Sequence, residues 1–242
     1  DKVKNIILMG PVANTLPELV YFQIVKNPLA YAEKVLNKND SGMLTINEIS
    51  NDPIFQDLVG GNLTHLLLFQ INGMDYLNKS STEQSQPTNT NVSRATISIE
   101  DDLKPALIAA YNNVTFPTDS ALSSKCLDVR YGYFEWNSGL EGCPKWMRSH
   151  SDLQGTLSMI GNVSSGMGIL ILQGENDTAT PLEQGLQLQQ RLMDVNHPDH
   201  LLITFPNLGH SLSPSSNWIS QSGPMTEYVL KDLFEWLSSR SG

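Results

Sequence analysis

Short apolar runs alternate with amphipathic stretches along much of this chain. Asn5–Leu8 is an aliphatic run closed by Gly10-Pro11, the pattern of a buried strand entering a turn. Pro17–Lys26 and Pro28–Leu36 read as two helices, the second started by Asn27 as N-cap and Pro28 at the first helical position. Leu29, Ala32, Val35 and Leu36 give that helix its apolar face. From Lys79 to about Ser98 nearly every residue is polar, which predicts a long surface loop. Ser98 followed by Glu100–Asp102 caps a predicted helix to about Tyr111. Tyr131–Trp136 is ambiguous between strand and loop.

After Ser149 the pattern becomes regular. Leu153–Ile160 suggests a helix, Ile169–Leu172 a strand, Pro181–Val195 a helix, Leu201–Phe205 a strand and Pro224–Leu237 a closing helix. Strands and helices in alternation with short connections predict a parallel sheet packed by helices. The domain map expected is a core strand over 1–12, a mainly helical region over 13–150 and an α/β block over 151–242. No internal repeat is evident.

Composition narrows the classes. Of 242 residues, 40% are hydrophobic and 17% charged, a globular balance and not a disordered one. The net charge of −10, without a basic block, excludes a nucleic-acid groove or an anionic membrane surface as the expected partner. No apolar run approaches the roughly 20 residues that span a bilayer. Two cysteines, Cys126 and Cys143, are too few for a disulfide framework or a four-cysteine zinc site. They either close a short loop, worth about 3 kcal/mol in a chain-entropy account, or stay separate thiols. The loop reading, with the low charge content, favours an exported protein, whereas the Asn-x-Ser/Thr triplets at Asn39, Asn62, Asn78, Asn91, Asn113, Asn162 and Asn176 arise readily by chance in this composition and carry little weight. The chain begins at Asp1, without an initiator Met or a signal-like segment, and is expected to be a processed product or a piece of something longer.

Two loops of the last block carry the candidate chemistry. Gln173-Gly174-Glu175-Asn176-Asp177-Thr178-Ala179-Thr180-Pro181 follows one predicted strand, and Pro206-Asn207-Leu208-Gly209-His210-Ser211 follows the next. Ligands gather at the carboxyl ends of parallel strands, and adjacent strands lie about 4.8 Å apart. Asp177 and His210 would therefore converge, the carboxylate fixing the imidazole tautomer and leaving Nε2 as a general base.

The segments ILILQGENDTATP and LLITFPNLGHSLSP resemble the acid-bearing and histidine-bearing loops of the α/β-hydrolase superfamily. KVKNIILMGPVA resembles the core strand that precedes that superfamily's inserted cap. The resemblance implies a partial α/β-hydrolase-like parallel sheet with a large, mainly helical cap over residues 13 to 150, and catalytic roles for Asp177 and His210. The acid precedes the histidine, as in that superfamily. Its Gly-x-Ser-x-Gly turn is missing. Gly209-His210-Ser211-Leu212-Ser213 imitates it, but Ser211 follows the acid and leaves no histidine loop downstream. Gly161–Gly166 has the wrong glycine spacing and precedes a strand. The nucleophile is therefore expected from a missing N-terminal hydrolase segment or a second chain. The implied activity is ester or short-peptide hydrolysis, in which this chain alone is inactive.

Residues 37–48 resemble an EF-hand calcium loop. Side-chain oxygens of Asn37, Asn39, Ser41, Thr45 and Glu48 fall at positions 1, 3, 5, 9 and 12, the Met43 carbonyl at 7 and Gly42 at 6. Asn at position 1 leaves Glu48 as the one carboxylate, Pro53 shortens the outgoing helix, and no second hand is visible to pair with. Structural Ca2+ is the expectation, with a capped polar turn as the alternative. Tyr131, Tyr133, Phe134, Trp136 and Trp146 near the cysteines line either a pocket or a small core. His65, His150, His197 and His200 show no metal spacing. A second functional class stays open at this point: a non-catalytic, calcium-stabilised binding module on a hydrolase-like scaffold.

Overall fold

A computed structural model describes residues 3–59, 96–115, 153–219 and 223–240. The chain divides into two compact units, one of residues 1–19 and 152–242, the other of residues 20–151.

The first unit is built on a three-stranded parallel sheet of order β1-β4-β5, with β1 at Asn5–Met9, β4 at Gly168–Gly174 and β5 at His200–Phe205. Ile6 pairs with Ile169 and Leu8 with Ile171 on one side of β4, and Leu170 with Leu201 and Leu172 with Ile203 on the other. Every residue of β4 is buried. That burial explains its unbroken aliphatic sequence, since a parallel strand covered on both faces has no solvent side to make polar.

The period of two sorts its side chains. Leu170 and Leu172 enter a core with Phe205, Val229 and Trp236, the last two from the closing helix Glu227–Ser238. Ile169 and Ile171 enter an opposite core with Leu188 and Leu192, from the helix Leu182–Asp194. The parallel sheet and its covering helices agree with a partial α/β fold. The closing helix starts three residues after Pro224, and the helix expected over Leu153–Ile160 spans only Thr156–Met159, followed by one 3-10 turn.

In the second unit the helical run continues through Phe22–Lys26, Asn27–Tyr31 and Ala32–Leu36 without the break expected at Asn27. Asn27 has helical dihedrals, and its N–H reaches back to the Phe22 carbonyl in a π turn. That wider turn lets the chain pass Pro28, which has no N–H to donate, without ending the helix. Strand β2, Met43–Thr45, pairs antiparallel with β3, Thr96–Ser98. The last residues of the expected long loop are thus a strand, and this region is not helical alone. From Ser98 the helix runs through Ile99–Leu103 and Lys104–Thr115, past the predicted end at Tyr111.

Because Leu170 is fully buried and its cross-strand partner Leu201 is 41% exposed, the two should respond differently to truncation. Leu170→Ala is expected to lower unfolding free energy by about 2–5 kcal/mol, and Leu201→Ala by less than about 1 kcal/mol. Urea denaturation of the two variants checks this, and equal losses would contradict the one-sided packing of β5.

Candidate active site

The carboxyl ends of all three parallel strands converge. Gly10 follows β1, Asp177 lies three residues after β4, and His210 lies five residues after β5. Backbone bonds carry the β4–β5 ladder onward: Glu175 N–H donates to the Phe205 carbonyl (3.0 Å) and Asn176 N–H to the Leu208 carbonyl (2.9 Å). The Asn176 side chain adds a bond to the Ser215 carbonyl at 2.8 Å. A side chain at Gly174 would run into the Leu208 and Gly209 carbonyls, so the histidine loop can lie this close only over a glycine.

His210 Nδ1 and Asp177 Oδ2 are 2.9 Å apart. The Asp177 side chain is fully buried and saturated with donors. Its Oδ1 accepts from the backbone N–H groups of Ala179 (2.9 Å) and Thr180 (2.8 Å). Its Oδ2 also accepts from Gln173 Nε2 (3.1 Å) and lies 2.8 Å from the Thr180 hydroxyl. That hydroxyl is 3.0 Å from His210 Nδ1 and 3.1 Å from the Gly10 carbonyl, so Thr180 touches all three strand ends.

The electrostatics follow from this cage. Burial pushes the Asp177 carboxyl up, but the hydrogen bond from His210 and those from Thr180 outweigh it and hold the group below its ordinary value. The hydrogen bond to Asp177 raises the His210 pKa above that of a free histidine, against the opposing effect of burial. The imidazole side chain is 48% exposed, and its Nε2 has no hydrogen-bond partner among the described residues. An imidazole held at Nδ1 by a buried anion, with Nε2 open, can take a proton from an approaching hydroxyl and return it to a leaving group. Ser211 Oγ is hydrogen-bonded to Ser213 Oγ at 2.7 Å.

Three contributors were missed by the sequence reading. Gln173 and Thr180 hold the carboxylate from within the loop that carries it. Gly10 is the third, with φ +51°, where a Cβ would lie 2.9 Å from His210 Nδ1 and 3.2 Å from Asp177 Oδ2. The available signal was a Gly-Pro pair directly after the first predicted strand. Gln184 steadies the chain beyond that turn, its Oε1 accepting from the N–H groups of Ala13 (2.8 Å) and Asn14 (3.0 Å).

Asn37, Asn39, Ser41, Met43, Thr45 and Glu48, expected from the sequence to ligate calcium, all lie in the second unit, on the turn leading into β2, in β2 and in the helix after it. Among the described residues no group of three or more His, Cys, Asp or Glu side chains is gathered to hold a metal. His197 and His200 are linked to each other, His200 Nδ1 lying 2.7 Å from the His197 carbonyl. Cys126, Cys143, their neighbouring aromatics, His65 and His150 lie outside the described residues. No helix among the described residues is long and apolar enough to cross a membrane.

Residues 123–241 match the model of the prolyl oligopeptidase family. That family has the α/β-hydrolase fold, and the match covers just under half of the chain, including β4, β5 and the loops bearing Asp177 and His210. It supports a C-terminal fragment of serine-hydrolase type. No curated protein and no solved structure matches the chain.

The raised His210 pKa makes a signed prediction. An NMR titration of the His210 ring should give a midpoint above about 6.5, and Asp177→Asn should move it back toward that value. Stability from this pair is lost as pH rises through the folded His210 value, and lost from the Asp177 side as pH falls through that group's depressed value. A wild-type midpoint at or below 6.5 would remove the pairing. Gly10→Ala should displace the imidazole, lower the same midpoint and cost about 1–3 kcal/mol from the positive φ. An unchanged titration curve in that variant would show the turn to be tolerant.

Proposed function

We propose that this chain supplies the acid and the general base of a serine peptidase of α/β-hydrolase type, together with a cap formed by its inserted unit. Asp177 orients His210, and His210 deprotonates a serine that these 242 residues do not provide. The carrying observation is the His210 Nδ1–Asp177 bond of 2.9 Å combined with an open Nε2. The serine attacks the carbonyl of a short peptide, or of an ester; the amine or alcohol leaves with the proton that His210 took, and water, deprotonated by His210, then cleaves the acyl-enzyme to acid and free serine. Peptide substrates follow from the family match, and ester cleavage from the shared acyl-transfer chemistry.

Two features of the first unit support an origin of the nucleophile outside the chain. Strand β1 is paired along only one edge among the described residues, leaving a ladder on which a further parallel strand can add. The closing helix turns Leu230 (48% exposed) and Phe234 (72% exposed) outward, an apolar surface suited to further packing on the same side of the sheet. A serine on a turn after an added strand next to β1 would approach the strand ends where His210 stands.

The test uses a fluorophosphonate probe, which labels only an activated serine. The chain of 242 residues should not react by itself. A parent protein that carries the serine should react, and His210→Ala in it should slow labelling by at least about a thousand-fold. Labelling of the isolated chain at Ser211, or undiminished labelling of the His210→Ala protein, would overturn the assignment.

A further inference from the structure

A single hydroxyl stands where the three parallel strands end. Thr180 is 2% exposed, and its Oγ1 lies 2.8 Å from Asp177 Oδ2, 3.0 Å from His210 Nδ1 and 3.1 Å from the Gly10 carbonyl. Those neighbours belong to the turns after β4, β5 and β1.

The proton inventory decides what each contact can be. A threonine hydroxyl has one proton to donate and lone pairs that accept. The ionised Asp177 carboxylate and the Gly10 carbonyl can only accept, so they compete for that proton. The nearer and charged oxygen, Asp177 Oδ2, takes it. The lone pairs of the hydroxyl then face His210 Nδ1, which also lies 2.9 Å from Oδ2. Nδ1 thus meets two acceptors and carries a hydrogen shared between them. The other tautomer, with its hydrogen on Nε2, would set the Nδ1 lone pair against the carboxylate.

Oγ1 keeps its place by bonds that do not involve the imidazole. Thr180 N–H donates to Asp177 Oδ1 (2.8 Å), and the Thr180 carbonyl accepts from Gln173 Nε2 (3.0 Å). Pro181 restricts the backbone of the residue before it, and the β-branch of threonine restricts χ1. With sides of 2.8, 2.9 and 3.0 Å, Oγ1, Oδ2 and Nδ1 form a nearly equilateral triangle. An imidazole held by Oδ2 alone could pivot about that one bond. A second fixed oxygen, well off the line of the bond, removes the pivot.

We propose that Thr180 is a positioning residue of the acid–base pair, its hydroxyl donating to Asp177 and accepting from His210 so that the imidazole keeps the tautomer and orientation that leave Nε2 open. The consequence for turnover rests on Asp177 and His210 being the acid and base of a hydrolase, whereas the hold on the Nδ1 proton does not.

Two variants separate the hydroxyl from the shape of the side chain. Thr180→Val keeps the branched outline and loses the hydroxyl, and Thr180→Ser keeps the hydroxyl and loses a methyl. In the chain of 242 residues, proton NMR reads exchange of the His210 Nδ1 proton with water. That exchange should be at least about ten-fold faster in Thr180→Val and within about three-fold of the wild type in Thr180→Ser. In a parent protein that carries the serine, fluorophosphonate labelling of Thr180→Val should reach a limiting rate at least about ten-fold lower, at an unchanged half-saturating probe concentration. Thr180→Ser should restore that rate. Wild-type exchange or wild-type labelling in Thr180→Val would overturn the proposal. So would a ten-fold loss in Thr180→Ser, which makes the methyl and not the hydroxyl the working part and needs no folded valine variant to be seen. Labelling that survives His210→Ala would instead remove the hydrolase reading, and Nδ1 exchange would still decide the role of Thr180.

Discussion

Strand β4 is hydrogen-bonded along both edges, and the first unit depends on that double pairing. It brings Gly10 within reach of Asp177 and His210 although more than 160 residues of chain separate it from either. Its alternating side chains supply both cores, so one strand sets the relation of the closing helix to the helix Leu182–Asp194. A strand in that position has no tolerance for polar residues along its length, and its chemistry is displaced to the loop just past its end. Gln173 is the exception within the strand, and its side chain is spent on Asp177 and on the Thr180 carbonyl.

Burying a carboxylate is unfavourable unless its lone pairs are matched, and Asp177 shows how the balance is met. Two backbone amides, one side-chain amide, one hydroxyl and the imidazole surround its two oxygens. Four of those five come from residues 173–180, so the loop assembles the anion's environment almost alone. The histidine is the single long-range member. An anion made by local bonds and then offered to one distant imidazole keeps that imidazole in one tautomer whether or not a substrate is present.

What was legible in the sequence follows from this locality. Asp177 and His210 stood out because each lies just past an aliphatic run, and strand ends were enough to place them near each other. Gly10 was read only as a turn, because its importance is a contact with residues 177 and 210 that no local pattern encodes. Thr96–Ser98 was absorbed into a polar stretch, since three residues show their strand character only when Leu44 lies opposite Ile97. The break expected at Asn27-Pro28 rested on local propensity, and the π turns on either side absorb the proline instead.

The two units use a carboxylate for different ends, Asp177 in the loop after β4 and Glu48 in the first turn of a helix, and the surroundings decide which. Asp177 is buried, has five donors and sits where an added Cβ on Gly10 would touch it, so it cannot move without undoing the convergence of the strands. Its value to any chemistry is fixed position. Glu48 is exposed and held by one hydroxyl and one amide, both from Thr45, which water can replace at little cost. A carboxylate of the first kind can orient a base because it does not move. One of the second kind serves its own helix start but could not keep an imidazole in place. The capping box at Thr45 therefore serves the start of its own helix, and the ribbon to Ile97 holds the strand that leads into it.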